Sequence, residues 1–103
     1  MTNEKKPKHY EQLLEKHPAY IQAVEALGRA VQDAGPLDPK TLQLIQLAAA
    51  AAQRSEGALR SHVRRALAAG ATAEEVQHAL IALTSTIGFP TVAAALSWAE
   101  KEF

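Results

Sequence analysis

The sequence predicts an all-α fold, a single-domain bundle of about six helices. Over most of the 103 residues, apolar side chains recur at spacings of three and four, which is the period of an amphipathic helix. No segment shows the sustained two-residue alternation that indicates a half-buried strand. Helix start signals are present as well, such as the T-x-x-E pattern of Thr72 and Glu75. Together these patterns favour helices throughout.

The first third of the chain contains two predicted helices. Residues 1–8 are charged and polar, and we expect a flexible lead there. A short helix over residues 10–16 must end before Pro18, because a residue that precedes proline disfavours the helical conformation. Pro18 suits the first turn of a second helix, where its missing N–H costs nothing. Gly35 and Pro36 end this second helix.

Two more helices are predicted in the middle of the chain. Asp38 and Pro39 form an N-cap and first-turn pair that opens the third helix. The five consecutive alanines at residues 48–52 give that helix a narrow surface, which other helices can approach closely. Ser55 is the predicted N-cap of the fourth helix, and Gly70 is its predicted stop. The apolar positions of the fourth helix are Leu59, Val63, Ala66 and Leu67.

The last third of the chain is predicted to form a fifth and a sixth helix. Thr72 and Glu75 form a capping box, in which each side chain accepts a hydrogen bond from the other residue's backbone N–H. We expect the fifth helix to reach Ile87, because its apolar spacing continues to that point. The G-F-P segment at residues 88–90 marks the joint to the sixth helix. Its apolar positions follow spacings of four, three and four: Val92, Leu96, Ala99 and Phe103.

Composition excludes several classes of function. Lys plus Arg and Asp plus Glu each number 11, so the formal net charge is zero and no broad field attracts nucleic acid or an anionic membrane. No apolar run approaches the ~20 residues of a membrane span, and the start of the chain lacks the apolar stretch of a secretory signal. We therefore expect a cytoplasmic protein without nucleic-acid or membrane partners. The absence of cysteine excludes intrinsic disulfides, thiolate nucleophiles and dithiol redox cycling.

Several segments together resemble the carboxymuconolactone decarboxylase and AhpD-like family. They are D-P-K-T at residues 38–41, S-E-G-A-L-R-S-H at 55–62, S-H-V-R-R-A-L at 61–67, G-A-T-A-E-E at 70–75 and G-F-P at 88–90. The second segment is similar to the C-x-x-C-x-x-x-H redox motif of the family, with other residues at both cysteine positions. The resemblance implies an AhpD-like helical domain over residues 9–103. It also implies a homo-oligomer, either a trimer or a hexamer built as a trimer of dimers.

In that family a glutamate, two cysteines and two histidines form a proton relay for disulfide redox chemistry. The resemblance places the glutamate position at Gln43, the cysteine positions at Ser55 and Ala58, and the intervening histidine at Gly57, while the final histidine is His62. A serine hydroxyl cannot pass through the oxidation states of a thiol, and an amide cannot act as a base. We therefore expect the alkylhydroperoxidase, or peroxiredoxin, activity of the family to be absent.

Two interpretations of the site stay open. Carboxymuconolactone decarboxylases also lack the cysteine pair and keep the histidine, so the resemblance implies either decarboxylation or binding of a small lactone carboxylate, with His62 as the candidate acid. Arginines would hold the carboxylates, and the candidates are Arg54, Arg60, Arg64 and Arg65. In the alternative, the chain is a noncatalytic oligomeric scaffold. His62 is then a core residue, and the arginines form a solvated or intersubunit face.

The sequence indicates no metal and no cofactor. His9, His17 and His78 lie far apart, without the spacing of metal ligands and without an accompanying set of carboxylates. We predict that neither a metal ion nor a cofactor takes part in the function.

Overall fold

The structure is a computed structural model that describes residues 8–103. The lead predicted at residues 1–8 lies outside the described residues except for Lys8, which begins the first helix. The elements in chain order are α1 (Lys8–Lys16), α2 (Pro18–Asp33), α3 (Pro39–Ala52), α4 (Glu56–Ala68), α5 (Ala73–Ile81), α6 (Thr84–Ile87) and α7 (Phe89–Glu100). The described residues contain no strand, so the all-α prediction is confirmed.

The chain divides into two units, which are described separately. The first contains α1 and α2, packed against each other, and the second begins at Leu37 and contains α3 to α7. Exposed large apolar residues recur along α2 at spacings of four, three and four: Tyr20 (62%), Val24 (44%), Leu27 (64%) and Val31 (48%). We call this set the α2 stripe. The single domain expected over residues 9–103 stays a prediction.

The core of the second unit is built on the packing of α3 against α4. Small side chains on these helices let the two backbones approach closely, and α5 and α7 pack against the pair. The core residues with no exposed surface are Leu47, Ala51, Leu59, Val63, Ala66, Val76, Leu80, Ala95 and Ala99. Ala51 of α3 belongs to the run of five alanines. The narrow surface of that run predicted that another helix would pack closely against α3.

Similar backbone turns end α3 and α4. After α4, Gly70 has a φ of +102°, and the N–H groups of residues 70 and 71 donate to the carbonyls of residues 67 and 66. After α3 the equivalent position is Arg54, with a φ of +55°, and residues 54 and 55 donate to the carbonyls of residues 51 and 50. Both ends are Schellman motifs, which favour glycine at the left-handed position. An arginine there costs about 1 kcal/mol, which the packing of the two helices must offset.

The fifth helix is shorter than predicted. It ends at Ile81 instead of Ile87, and the one-turn helix α6 follows. The N–H of Leu83 donates to the carbonyl of Leu80 at 3.1 Å, which tightens the last turn. The hydroxyl of Thr84 donates to the carbonyl of Ile81 at 2.7 Å. This hydroxyl competes for a backbone carbonyl without changing the spacing of the apolar residues. The apolar pattern therefore runs across the break and does not reveal it.

The last helix also stops earlier than the apolar spacing predicts. Helix α7 ends at Glu100, and a turn continues towards Phe103. Phe103 is 47% exposed, whereas Val92 and Ala99 are buried, so only part of the predicted apolar set enters the core.

The predicted N-caps differ in what their side chains do. The N–H of Thr41 donates to Oδ1 of Asp38 at 2.7 Å. The capping box of Thr72 and Glu75 forms with distances of 3.0 and 2.9 Å. Ser55 occupies the N-cap position of α4, but its hydroxyl makes no capping hydrogen bond. The start of α4 therefore depends on the preceding turn rather than on a side-chain cap.

Replacing Thr72 by alanine should lower the free energy of unfolding by about 1 kcal/mol, because the N–H of Glu75 loses its acceptor. Ser55→Ala is the matched control. It removes an N-cap hydroxyl that makes no capping bond, so the change should be less than about 0.5 kcal/mol. Urea unfolding of both variants measures the difference. Equal losses in the two variants would contradict this account of the helix starts.

Candidate functional site

Gln43 and His62 lie on the two facing helices α3 and α4. Gln43 precedes Leu47 by one turn, on the face of α3 that enters the core. On α4, His62 lies beside this core face, with Val63 next to it in sequence and Ala66 one turn later. Residues 53–55 reverse the chain between the helices, so side chains 19 positions apart in sequence meet.

A hydrogen bond of 2.9 Å joins Nδ1 of His62 to Oε1 of Gln43. An amide oxygen can only accept, so this arrangement requires the proton of a neutral imidazole to be on Nδ1. Gln43 is 3% exposed, and a buried amide without a partner would cost about 1–3 kcal/mol. The hydrogen bond therefore gives the amide oxygen of Gln43 a partner and holds the imidazole in one orientation.

The other nitrogen of His62, Nε2, has a different chemical role in this tautomer. With the proton on Nδ1, Nε2 of the neutral ring carries the lone pair, and in the imidazolium it carries the second proton. His62 itself is only partly buried. The arrangement can therefore exchange a proton at Nε2 while Nδ1 stays bound to Gln43.

The other positions that the resemblance assigns to a relay lie at the start of α4. Ser55 is partly buried at the N-cap, and Gly57 and Ala58 are exposed. A Cβ atom at position 57 would meet no atom within 4 Å, so the backbone there has room for a larger side chain. Ala58 lies one turn before His62 on the same flank of the helix. Neither Gly57 nor Ala58 carries a group that can transfer a proton or an electron.

The three arginines of α4 divide between its two flanks. Each residue turns a helix by about 100°, so Arg60 and Arg64, each two positions from His62, lie about 160° around α4 from it. Arg65 lies three positions after His62, only about 60° away, and is exposed. Arg54 precedes the helix in the left-handed turn and is also exposed. Anion binding by these arginines stays a prediction.

Arg60 and Arg64 both bind Glu102. Nε of Arg60 lies 2.6 Å from Oε2 of Glu102, and an N–H group of Arg64 lies 3.2 Å from Oε1. Glu56 extends the network to Arg60 at 3.5 Å and to Lys101 at 3.3 Å. The side chain of Glu102 is 10% exposed. This network fastens the turn after α7 to α4, on the flank opposite His62.

No sequence pattern predicts the role of Glu102. Its partners lie about forty positions away in sequence, and a single glutamate in a charged C-terminal segment carries no signal of pairing. Only the packing of α7 against α4 brings these charges together.

Opposing effects act on the pKa of Glu102. Burial raises it, but hydrogen bonds from Arg60 and Arg64 and the charges of both guanidinium groups outweigh burial, so the pKa lies below its ordinary value. Glu102 in turn raises the pKa of Arg60. Because the carboxylate form is favoured in the folded protein, its stabilising effect is present above the ordinary pKa of a glutamate. The effect is lost as the pH falls through the lowered value.

Within residues 8–103, no three side chains of His, Cys, Asp or Glu are grouped so that they could hold a metal ion. None of the helices in this part of the chain is long and apolar enough to cross a membrane. The cytoplasmic location stays a prediction.

Glu102→Gln should lower the free energy of unfolding at neutral pH by about 1–3 kcal/mol, because Arg60 and Arg64 lose their shared carboxylate. Glu100→Gln is the matched control, since this nearby exposed glutamate should contribute little. Chemical unfolding measured from neutral pH down to below the lowered pKa of Glu102 tests the sign. The stability of wild type and Glu102→Gln should converge at the acid end, and a constant difference across the range would refute the assignment.

Comparisons with known proteins agree with this architecture. The sequence pattern of the carboxymuconolactone decarboxylase family matches residues 18–101. An uncharacterized protein of Haemophilus influenzae is 40% identical over 59 residues, which are 57% of this chain and 52% of that protein. The chain thus matches about half the length of this curated relative.

A solved structure has the same fold. It is the crystal structure of a protein from Burkholderia xenovorans LB400 that is provisionally assigned as a carboxymuconolactone decarboxylase. The TM-score is 0.72 at 22% sequence identity, and the match covers 93% of this chain and 78% of that one. The AhpD-like fold predicted from the sequence is confirmed. Because the family pattern covers most of the sequence, the chain belongs to the carboxymuconolactone decarboxylase family.

Proposed function

We propose that the protein decarboxylates a small lactone carboxylate, with His62 as the proton donor. The observation that carries the proposal is the 2.9 Å hydrogen bond between His62 and the buried Gln43. It gives a partly exposed imidazole a defined orientation and a defined tautomer. The family is named for a reaction that requires such a proton donor, which supports the same chemistry here.

The reaction needs one proton delivered to carbon. The C–C bond to the departing carboxylate breaks, carbon dioxide leaves, and the electron pair passes into the conjugated lactone system. The imidazolium of His62 then gives the proton on Nε2 to a carbon of that conjugated system, and the ring regains a proton from solvent. Electrons and protons balance without an oxidant or a reductant.

Gln43 acts in this scheme as a positioning residue. Its amide accepts the hydrogen bond from Nδ1 but cannot take the proton, so transfer at His62 is confined to Nε2. A carboxylate at the same place would form an ion pair with the imidazolium and make it a weaker acid. A neutral partner therefore suits a histidine that must release its proton.

Redox chemistry of the family's dithiol type is excluded by the sequence. The chain has no cysteine, and the two motif positions hold Ser55 and Ala58. Peroxide reduction of that type requires a thiolate to attack and a second thiol to resolve the product. Proton transfer is the chemistry that the remaining groups support.

The alternative is a noncatalytic scaffold. The exposed Gly57 and Ala58 favour it, because neither carries a functional group. Under either function we propose a homo-oligomer, a trimer or a hexamer, which the exposed α2 stripe supports. A continuous apolar surface of this kind is typical of contacts between protein chains. The two proposals differ in whether removal of His62 abolishes an activity.

His62→Ala should lower kcat/KM for decarboxylation of carboxymuconolactone by about 10²–10⁴-fold, because the proton donor is lost. Release of carbon dioxide from the purified protein measures the rate, and circular dichroism confirms that the variant is folded. His78→Ala is the control, since this exposed histidine on α5 lies outside the site. Full turnover in His62→Ala would rule out the proposed mechanism, and no turnover in wild type would favour the scaffold.

Gln43→Glu should extend activity to higher pH. A carboxylate that accepts from Nδ1 stabilises the imidazolium, so the acid form of His62 persists to a higher pH. The descending limb of the pH–rate profile measures the shift, and NMR titration of the His62 ring reports it independently. Gln46→Glu introduces the same charge elsewhere on α3 and should move the limb less. Identical profiles for the two variants would argue against the positioning role of Gln43.

A further inference from the structure

The unit formed by α1 and α2 has little core of its own. Among the residues of these two helices, a single one, Ile21, is buried. The four members of the α2 stripe are 44–64% exposed. Helices of this length are stabilised in water mainly by the packing of an apolar face. The α2 stripe is therefore the face of this unit that most needs a partner.

The spacing of the α2 stripe is the same in both directions along the helix. Its members lie four, three and four positions apart, so a second α2 that runs antiparallel presents its stripe at the same heights. A two-fold axis between Val24 and Leu27 places Val24 opposite Leu27 of the second copy. It also places Tyr20 opposite Val31 of the second copy. Such mutual pairing is what a contact between two identical surfaces requires.

The charged residues of α2 lie away from the stripe. Each residue turns a helix by about 100°, so Glu25, Arg29 and Asp33 lie about 130–170° around α2 from the middle of the stripe. Two copies that meet through this face therefore bring no like charges together. The face also offers no charge that would select an acidic or a basic partner, which favours a second copy over a partner recognised by its charge.

Small residues border the stripe on both sides. Ala23, Gly28 and Ala30 are exposed and lie about 70–90° around the helix from its middle. A Cβ atom at Gly28 would meet no atom within 4 Å. Small side chains let two helix backbones approach closely, so the larger stripe residues of each copy can pack against those of the other.

We propose that the α2 stripe binds the α2 stripe of a second copy of this chain, with the two helices antiparallel about an axis between Val24 and Leu27. The inference rests on the homo-oligomer proposed above, and it adds the contact surface, the orientation and the register. A two-fold contact joins chains in pairs, so the assembly contains an even number of chains. Of the trimer and the hexamer, it selects the hexamer.

Cysteine cross-linking tests the orientation and the register, because the chain has no cysteine and each variant then carries a single thiol. Tyr20→Cys and Val31→Cys are refolded together and oxidised. In the proposed register the two different variants face each other, and intact mass should show a disulfide between them. Two copies of Tyr20→Cys are eleven residues, or about 16 Å, apart along the axis, which exceeds the ~7 Å between Cα atoms that a disulfide spans.

Each variant oxidised alone should therefore stay largely monomeric under denaturing conditions. Gln22→Cys is the matched control, since Gln22 is exposed on the face of α2 opposite the stripe. A disulfide that forms readily in Tyr20→Cys alone would indicate parallel helices and overturn the proposed orientation. Failure of the Tyr20→Cys and Val31→Cys mixture to cross-link beyond the Gln22→Cys control would overturn the contact itself.

Leu27→Lys tests the strength of the contact, because it places a positive charge from each copy beside the two-fold axis. Leu27 is 64% exposed, so the fold of the single chain should persist, and circular dichroism checks this. In sedimentation, Leu27→Lys should weaken association at least about tenfold and halve the mass of the assembly. Gln22→Lys introduces the same charge on the opposite face of α2 and should sediment as wild type does.

The oligomeric state of wild type separates this inference from the proposals on which it rests. A wild-type trimer would overturn the α2 contact and leave the homo-oligomer standing. A wild-type monomer at all concentrations would end both. An even assembly that Leu27→Lys leaves intact would place the contact elsewhere on the chain. None of these measurements uses turnover, so the proposed decarboxylation is tested independently.

Discussion

The close packing of α3 against α4 is the constraint on which the site depends. Small and medium-sized apolar residues fill this contact, so the backbones are near enough for a glutamine on one helix to reach a histidine on the other. The chain reverses between these helices through a left-handed residue that is not glycine, Arg54. The left-handed conformation of Arg54 costs about 1 kcal/mol. Such a conformation persists where the surrounding packing stabilises it, and the packing of α3 against α4 does so here. Without this contact the candidate site would not form.

The polar pair inside that contact joins an imidazole to an uncharged amide rather than to a carboxylate, and this affects both stability and chemistry. Moving an ion pair from water into the protein interior carries a desolvation cost that the attraction between the charges often fails to offset. An amide that accepts from an imidazole avoids much of that cost while still orienting the ring. A single proton donor needs no base at this position, so an uncharged Gln43 is compatible with a chain that has no cysteine.

The side chains on the two flanks of helix α4 have different surroundings. On one flank, Glu102 bridges Arg60 and Arg64 and attaches the end of the chain to the helix. On the other flank lie Ser55, Ala58, His62 and Arg65, among which Ala58 and Arg65 are exposed. Opposite charges are thus matched between α4 and the end of the chain, and the flank that carries His62 is partly exposed to solvent. The division lets one helix contribute both to the stability of the fold and to the candidate site.

The sequence by itself determined the all-α class, the capping box at Thr72, the stop at Gly70 and the absence of cysteine. These features are local: a cap, a left-handed glycine or a missing thiol depends on residues that are adjacent or one helical turn apart. The early end of α5 escaped prediction because the hydroxyl of Thr84 redirects a backbone carbonyl without changing the apolar pattern. The pairing of Glu102 with two arginines, and the contact of Gln43 with His62, depended on tertiary structure. Both join residues far apart in sequence, and only helix packing decides which of the available charges and amides come within hydrogen-bond distance.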